Sequence, residues 1–308
     1  MIQAAATLLV IGLWSSVVGP ARAAETAVTL SPVGASDQLP ATLLTPDGAG
    51  PFPAVVIMHD CSGLGPRSSG APRRWGEELL AQGYVVLIPD SFSPRGLPNG
   101  VCTEAPERGR AANHYLRASD AYGALGFLRT LPHVDGRRIG IMGGSHGGSS
   151  TLASMFDPGD ARNPQALAKR DGFAAAVSLY PSCGQRFGAW SVTRENGNRG
   201  PVTGYDGAYR PLAPLLILIG EADDWTPAEP CRRMVEAARA QGLPVEIKVY
   251  PGAHHSFDSA NRVFFGPNRN NPNSPAGKGA TTGGQAEAWA DAKVQVRAFF
   301  ARHLKGRS

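Results

Sequence analysis

Residues 138–147 read RIGIMGGSHG, and the fold is decided by how that stretch is read. Its first half is a short apolar run. Its second half is a Gly-x-Ser-x-Gly motif, Gly143-Gly144-Ser145-His146-Gly147. The run predicts a buried strand, and residues 147–157 predict a helix after it. A serine between two such elements needs a sharp turn, and flanking glycines let the backbones pass without a Cβ clash. The turn lifts the Ser145 hydroxyl clear of the sheet and aims a helix N-terminus at any negative charge developing beside it. Ser145 is therefore the candidate nucleophile.

Outward from this point, apolar runs alternate with amphipathic ones. Residues 53–58 (PAVVIM), 84–88 (YVVLI), 174–180 (AAAVSLY), 215–219 (LLILI) and 245–250 (VEIKVY) read as further strands. Near-continuous Val, Ile and Leu marks strands covered on both faces. Helices are expected at about 71–82, 106–131, 147–157, 228–241 and 285–304. For the fourth, Thr226 is the expected N-cap, with Pro227 at N1 and Glu229 completing a capping box. The alternation predicts an α/β fold with a doubly wound, mostly parallel sheet flanked by helices. Runs at 27–31 and 39–45 fit antiparallel edge strands. With 42% apolar and 18% charged residues in 308, one domain over residues 24–308 is expected. Residues 182–212 are rich in Gly, Arg and Asn and are expected to border the site. Residues 266–284 (GPNRNNPNSPAGKGATTGG) are almost wholly turn-forming and are expected to be disordered.

A serine hydroxyl is a weak nucleophile without a base to take its proton and an acid to orient that base. In chains with this kind of elbow the order is Ser, then Asp or Glu, then His. Asp223 follows LLILI and lies four residues before Pro227, which makes it the candidate acid; its rival Asp224 reads as a solvated turn residue. His255 follows VEIKVY and is the candidate base, with Phe257 packing beneath its loop. Its neighbour His254 reads as a surface residue or a supporting donor. Two backbone N–H groups must receive an oxyanion. One is expected from His146 and the other from Cys61, in His59-Asp60-Cys61-Ser62-Gly63. His59 is expected to brace that loop by hydrogen bonds, and Asp60 to brace it or to contact substrate. The histidines and Asp60 lack HExxH or comparable spacing, so no metal is expected, and the chemistry needs no cofactor.

The remaining features concern location and partners. The formal charge of +5 comes from 30 scattered basic residues against 25 acidic ones. That pattern fits a solvated surface, not a nucleic-acid interface. Residues 4–18 are apolar but short for a bilayer, and Ala21-Arg22-Ala23 is a small-x-small cleavage site. A signal peptide over residues 1–23 is expected, hence a secreted or periplasmic protein without a membrane partner; an uncleaved anchor is the alternative. Export makes disulfides plausible for Cys61, Cys102, Cys183 and Cys231. Three pairings exist. Cys61–Cys102 with Cys183–Cys231 is favoured, because each pair would join loops following strands on one edge of a sheet; four free thiols are the alternative.

The blocks VVIMHDCSGL, GYVVLIPDSFSPRG, IGIMGGSHGG, LILIGEADDWTP and YPGAHHSFD, in this order, resemble the dienelactone hydrolase family over roughly residues 50–303. The resemblance implies an α/β-hydrolase fold, an acid–His pair at Asp223 and His255, and oxyanion donors at Cys61 and His146. It also implies hydrolysis of a small-molecule ester or lactone. Dienelactone hydrolases proper carry a cysteine where this chain has Ser145. Of their two substrate-binding arginines, one position is Ser259 here. Arg95 lies one residue out of register with the other and is the candidate substrate contact. Two further readings keep the scaffold: a non-catalytic binding protein, or a peptidase or acyltransferase using the same three residues.

Overall fold

The computed structural model describes residues 23–35, 38–157, 171–197 and 199–306. The expected signal peptide, except its last residue, lies outside the described residues. At the centre is an eight-stranded sheet in the order β1-β2-β4-β3-β5-β6-β9-β10. These strands are β1 (Ala24–Leu30), β2 (Leu39–Thr45), β3 (Phe52–Met58), β4 (Val85–Pro89), β5 (Val134–Gly144), β6 (Ala175–Leu179), β9 (Leu215–Gly220) and β10 (Val245–Tyr250). β1–β2 and β2–β4 pair antiparallel, and every other pair is parallel. Both the mostly parallel sheet and its antiparallel edge agree with the sequence pattern.

One row of side chains shows why the runs are so apolar. Leu43, Leu87, Val56, Ile141, Ala176, Leu215 and Val245 stand in register across seven strands, and all are buried. Burying a side chain the size of Val or Leu contributes roughly 1.5–3 kcal/mol. Helices α1 (Ala71–Leu80), α3 (His114–Thr130), α4 (His146–Met155), α5 (Ala228–Arg239) and α6 (Ala286–Phe300) flank the sheet, and a single turn, α2 (Pro106–Gly109), precedes α3.

Three expectations need correction. The helix expected over 106–131 is broken: Asn113 is extended, and its side chain accepts from the Tyr115 and Leu116 amides to start α3 afresh. Thr226 is not the N-cap of α5. Pro227 takes that position, which frees the Thr226 hydroxyl for other partners. Residues 266–284 are not disordered, for they form most of a hairpin of β11 (Phe264–Asn270) and β12 (Lys278–Thr282). Its register shifts between Gly266 and Asn270, and Asn271 Nδ2 donates to Gly279 O across it. Backbone pairing and side-chain amides hold this hairpin where apolar alternation is lacking. A second hairpin, β7 (Ser191–Asn196) and β8 (Arg199–Asp206), lies within the other irregular stretch.

Both favoured disulfides are present, Cys61–Cys102 and Cys183–Cys231, each with Cα atoms 5.0 Å apart. Cys231 lies on α5, not on a loop. No helix among the described residues is long and apolar enough to cross a membrane.

Candidate active site

Ser145, Asp223 and His255 stand just beyond the C-terminal ends of β5, β9 and β10, where open parallel sheets place their ligands. Ser145 has φ 56° and ψ −116°, a backbone geometry that costs a non-glycine residue about 1–3 kcal/mol. Two hydrogen bonds hold it there: its N–H donates to Leu179 O, and its C=O accepts from the Ser149 N–H, both at 2.9 Å. The flanking glycines are sterically required. A Cβ on Gly147 would lie 2.0 Å from Met58 O, and one on Gly143 would lie 2.5 Å from the Gly147 backbone.

His255 joins the serine to the acid. Its Nε2 is 2.8 Å from Ser145 Oγ, and its Nδ1 is 2.8 Å from Asp223 Oδ2. A carboxylate only accepts, so the ring proton sits on Nδ1 and the Nε2 lone pair faces the hydroxyl. Asp223 Oδ1 accepts from the Trp225 and Thr226 amides. The imidazole packs between Tyr180 and Trp225, with ring centroids 4.8 Å away on each side. All three residues are buried.

Thr226, expected as a helix cap, is part of this cluster. Its Oγ1 lies 2.9 Å from both Asp223 Oδ2 and His255 Nδ1, and 3.0 Å from Tyr180 O. Asp224 turns the other way. Its carboxylate accepts from Thr281 N and Oγ1 on β12, which ties the acid loop to the hairpin. His254 Nδ1 donates to Ala222 O, a supporting bond within the same loops. Phe257 is buried under the histidine loop against Tyr180 and Tyr250.

The opposite wall is built from the turn after β3. His59 Nε2 accepts from Ser91 N, which leaves its Nδ1–H to donate to Asp60 O at 2.8 Å. Asp60 braces the turn, accepting from Ser62 N, Ser62 Oγ and Ser69 Oγ. Burial, reinforced by the Arg117 cation, holds both His59 and His146 well below the usual imidazole range, so both rings are neutral. Cys61 and His146 line one cavity together with Ser145.

Arg95, the expected substrate contact, is engaged elsewhere in this structure. Its guanidinium donates twice to Asp120 at 2.7 Å and once to Ser91 O, and it lines neither cavity at Ser145.

Two cavities meet at Ser145, of about 210 and 230 Å³. Their shared lining includes Trp225 and the Cys61–Cys102 disulfide. Val101, His114, Gln185 and Pro272 line the first. The second is the more polar of the two, and its charged lining is mixed: Arg67, Arg74 and Arg269 stand with Asp60 and Asp258. Arg269 comes from the hairpin and escaped the sequence reading, because a segment expected to be disordered places no side chain. Its guanidinium lies over Trp225 and donates to Thr282 Oγ1 at 2.6 Å.

Comparison with known proteins adds family context. The sequence profile described as the dienelactone hydrolase family matches residues 39–304. A Yersinia pestis protein, whose name gives carboxymethylenebutenolidase as an inferred activity, is 28% identical over 242 residues. That match covers 74% of this chain and 78% of that protein. An inferred dienelactone hydrolase from Klebsiella pneumoniae subsp. pneumoniae has a solved structure that superposes with a TM-score of 0.61 at 21% identity. The match covers 91% of this chain and 99% of that one. Thermogutta terrifontis esterase 2, solved in a form phosphorylated by paraoxon, gives a TM-score of 0.57 at 17% identity over 91% and 96%. These two likenesses establish the α/β-hydrolase fold.

Proposed function

Because this chain belongs to the dienelactone hydrolase family, we propose that it is a serine hydrolase cleaving a small carboxylic ester or lactone through Ser145, His255 and Asp223. The observation that carries the reading is the unbroken relay from Ser145 Oγ to His255 Nε2 and from His255 Nδ1 to Asp223, both links at 2.8 Å. Ser145 Oγ attacks the carbonyl carbon while His255 Nε2 takes its proton. The Cys61 and His146 N–H groups receive the oxyanion. Collapse of the tetrahedral intermediate breaks the C–O bond, and His255 returns its proton to the leaving alkoxide. Water, deprotonated by the same histidine, then cleaves the acyl-enzyme, releasing the acid and restoring Ser145. In a lactone the alcohol stays tethered to the acyl group, and hydrolysis yields one hydroxy acid.

A serine in place of the family's cysteine makes this relay more necessary. A thiol is partly ionised near neutral pH, whereas a hydroxyl depends on its base. The two cavities offer separate arms for the acyl and alcohol parts of the substrate, the second arm being the more polar of the two. The two disulfides support placing the protein outside the cytoplasm.

Steady-state hydrolysis of a panel of 4-nitrophenyl esters and lactones by the protein and its Ser145→Ala variant tests the reading. The variant is expected to lose on the order of 10⁴-fold or more in kcat. Retention of most of the activity would remove Ser145 from the mechanism.

A further inference from the structure

Arg117, on α3, is fully buried, yet among the described residues no carboxylate is hydrogen-bonded to it; Asp120, Asp60 and Asp90 favour its charge only from a distance. Its Nη1 donates to His146 Nδ1 at 2.7 Å and its Nη2 to His59 O at 2.6 Å. Its guanidinium lies over the Phe92 ring, centroid 4.9 Å away, and the edges of that ring also meet His59 and His146. Its Nε is buried without an acceptor among the described residues. Burial lowers its pKa to about 10, which leaves it a cation at neutral pH. A buried donor left unpaired costs about 1–3 kcal/mol, and a buried charge costs more. Packing alone would be better served by an apolar side chain.

What the guanidinium joins is the two sides of the oxyanion site. His59 O belongs to the turn after β3, and the bonded His59 ring holds Asp60 O, the carbonyl of the peptide unit that carries the Cys61 N–H. A hydrogen bond to that carbonyl fixes the peptide plane and polarises its N–H. On the other side, the His146 ring belongs to the residue whose own N–H is the second donor. One planar fork therefore spans both elements, with bonds reaching 58 residues back and 29 residues forward in the chain.

We propose that Arg117 is a positioning residue for ester hydrolysis: it sets the spacing of the Cys61 and His146 amides and fixes a positive charge behind them. The proposal rests on the serine-hydrolase reading above. The negative charge on the carbonyl oxygen appears only as the tetrahedral intermediate forms. Arg117 thus acts on kcat and leaves KM nearly unchanged. Lysine does not replace it, because one ammonium on a flexible stem cannot hold two acceptors on different elements in a fixed fork.

The test compares the protein with its Arg117→Lys and His146→Ala variants. The second variant removes the ring that Arg117 grips but keeps the backbone N–H, and it remains informative if the first fails to fold. Three quantities are measured: kcat and KM for 4-nitrophenyl butyrate, the inhibition constant of an alkyl trifluoromethyl ketone, and labelling of Ser145 by a fluorophosphonate. The ketone traps an active serine as a charged tetrahedral adduct. Folded Arg117→Lys is expected to lose on the order of 10²-fold in kcat, and His146→Ala about 10-fold, each with KM within about 3-fold. Ketone affinity should weaken in parallel with kcat. If kcat and ketone affinity stay within about 3-fold of the parent in either folded variant, the proposal is overturned. If the parent itself leaves Ser145 unlabelled, the serine-hydrolase reading fails and this proposal falls with it.

Discussion

The two sides of Ser145 are built by different means. On the acid–base side, Asp223 and His255 sit on short loops after β9 and β10, and the β11–β12 hairpin grips the acid loop from outside. Trp225 Nε1 donates to Asn270 O, and Asn273 Nδ2 donates to Trp225 O. On the oxyanion side, the turn after β3 is held from within, by the buried His59 and Arg117 and by the Cys61–Cys102 disulfide. In the proposed mechanism one side works as an exchangeable proton relay, clamped by the Asp224 carboxylate and by backbone and side-chain amides. The other, as the proposed oxyanion site, is a fixed dipole array stiffened by a buried cation and a covalent bond. The contrast follows from the chemistry: a proton carrier must change charge state at each step, whereas an oxyanion site works best when nothing in it moves.

The sharpest way to break the contrast is at the neighbouring acids. Asp223→Asn removes the acceptor that fixes the His255 tautomer, and kcat is expected to fall on the order of 10⁴-fold. Asp224→Asn weakens the grip on the hairpin and should keep activity within about 10-fold. Equal losses in the two variants, measured as kcat on one ester, would show that the wrong acid has been assigned.

The disulfides sharpen it next. They close segments of similar separation, 41 and 48 residues, so removing either pair should cost a similar amount, about 2–5 kcal/mol. Their effects on turnover should differ. Replacing Cys61 and Cys102 by serine would loosen the proposed oxyanion donor at residue 61 and should lower kcat per folded molecule about 10-fold. Replacing Cys183 and Cys231 should leave kcat within about 3-fold. Denaturant melts with kinetics on the folded fraction separate the two effects.

Acid provides a gentler probe of the oxyanion side. Burial, and then the Arg117 cation, lowers the pKa of His59 and His146, while the same causes bring His114 to about 4. Below the ordinary imidazole value the unfolded chain takes up protons that the folded chain refuses, so stability falls with falling pH. The loss should begin near pH 6.5 and approach about 1.4 kcal/mol per pH unit for each histidine still neutral in the fold. His146→Ala should make the fall of stability from pH 7 to pH 5 shallower. An unchanged slope in denaturant melts would count against a buried, neutral His146.

The same division explains what could be read from the chain. Ser145, Asp223 and His255 each follow an apolar run, and parallel strands deliver their C-terminal ends to one edge. A short pattern and a chain order therefore suffice to find them. Arg117 lies in a helix whose sequence gives no sign of its partners, which are His146, 29 residues on, and His59, 58 residues back. Thr226 reads as a cap from the sequence, since a threonine before a proline and a helix suits one. Its actual place depends on Tyr180 and His255, brought close only by folding. Arg269 and its hairpin were hidden because Asn and Gly pair through backbone and amide bonds that leave no apolar periodicity. The pairing of Arg95 with Asp120 was hidden for a related reason: Asp120 lies on a different element, 25 residues on.

Active-site labelling tests the central claim most directly. The purified protein is treated with a fluorophosphonate, digested, and mapped by mass spectrometry, with Ser145→Ala as the control. Labelling at Ser145 alone, absent from the variant, is the predicted result and would show a serine activated by His255. Folded protein that leaves Ser145 unmodified, or that is labelled equally in the variant, would contradict the account.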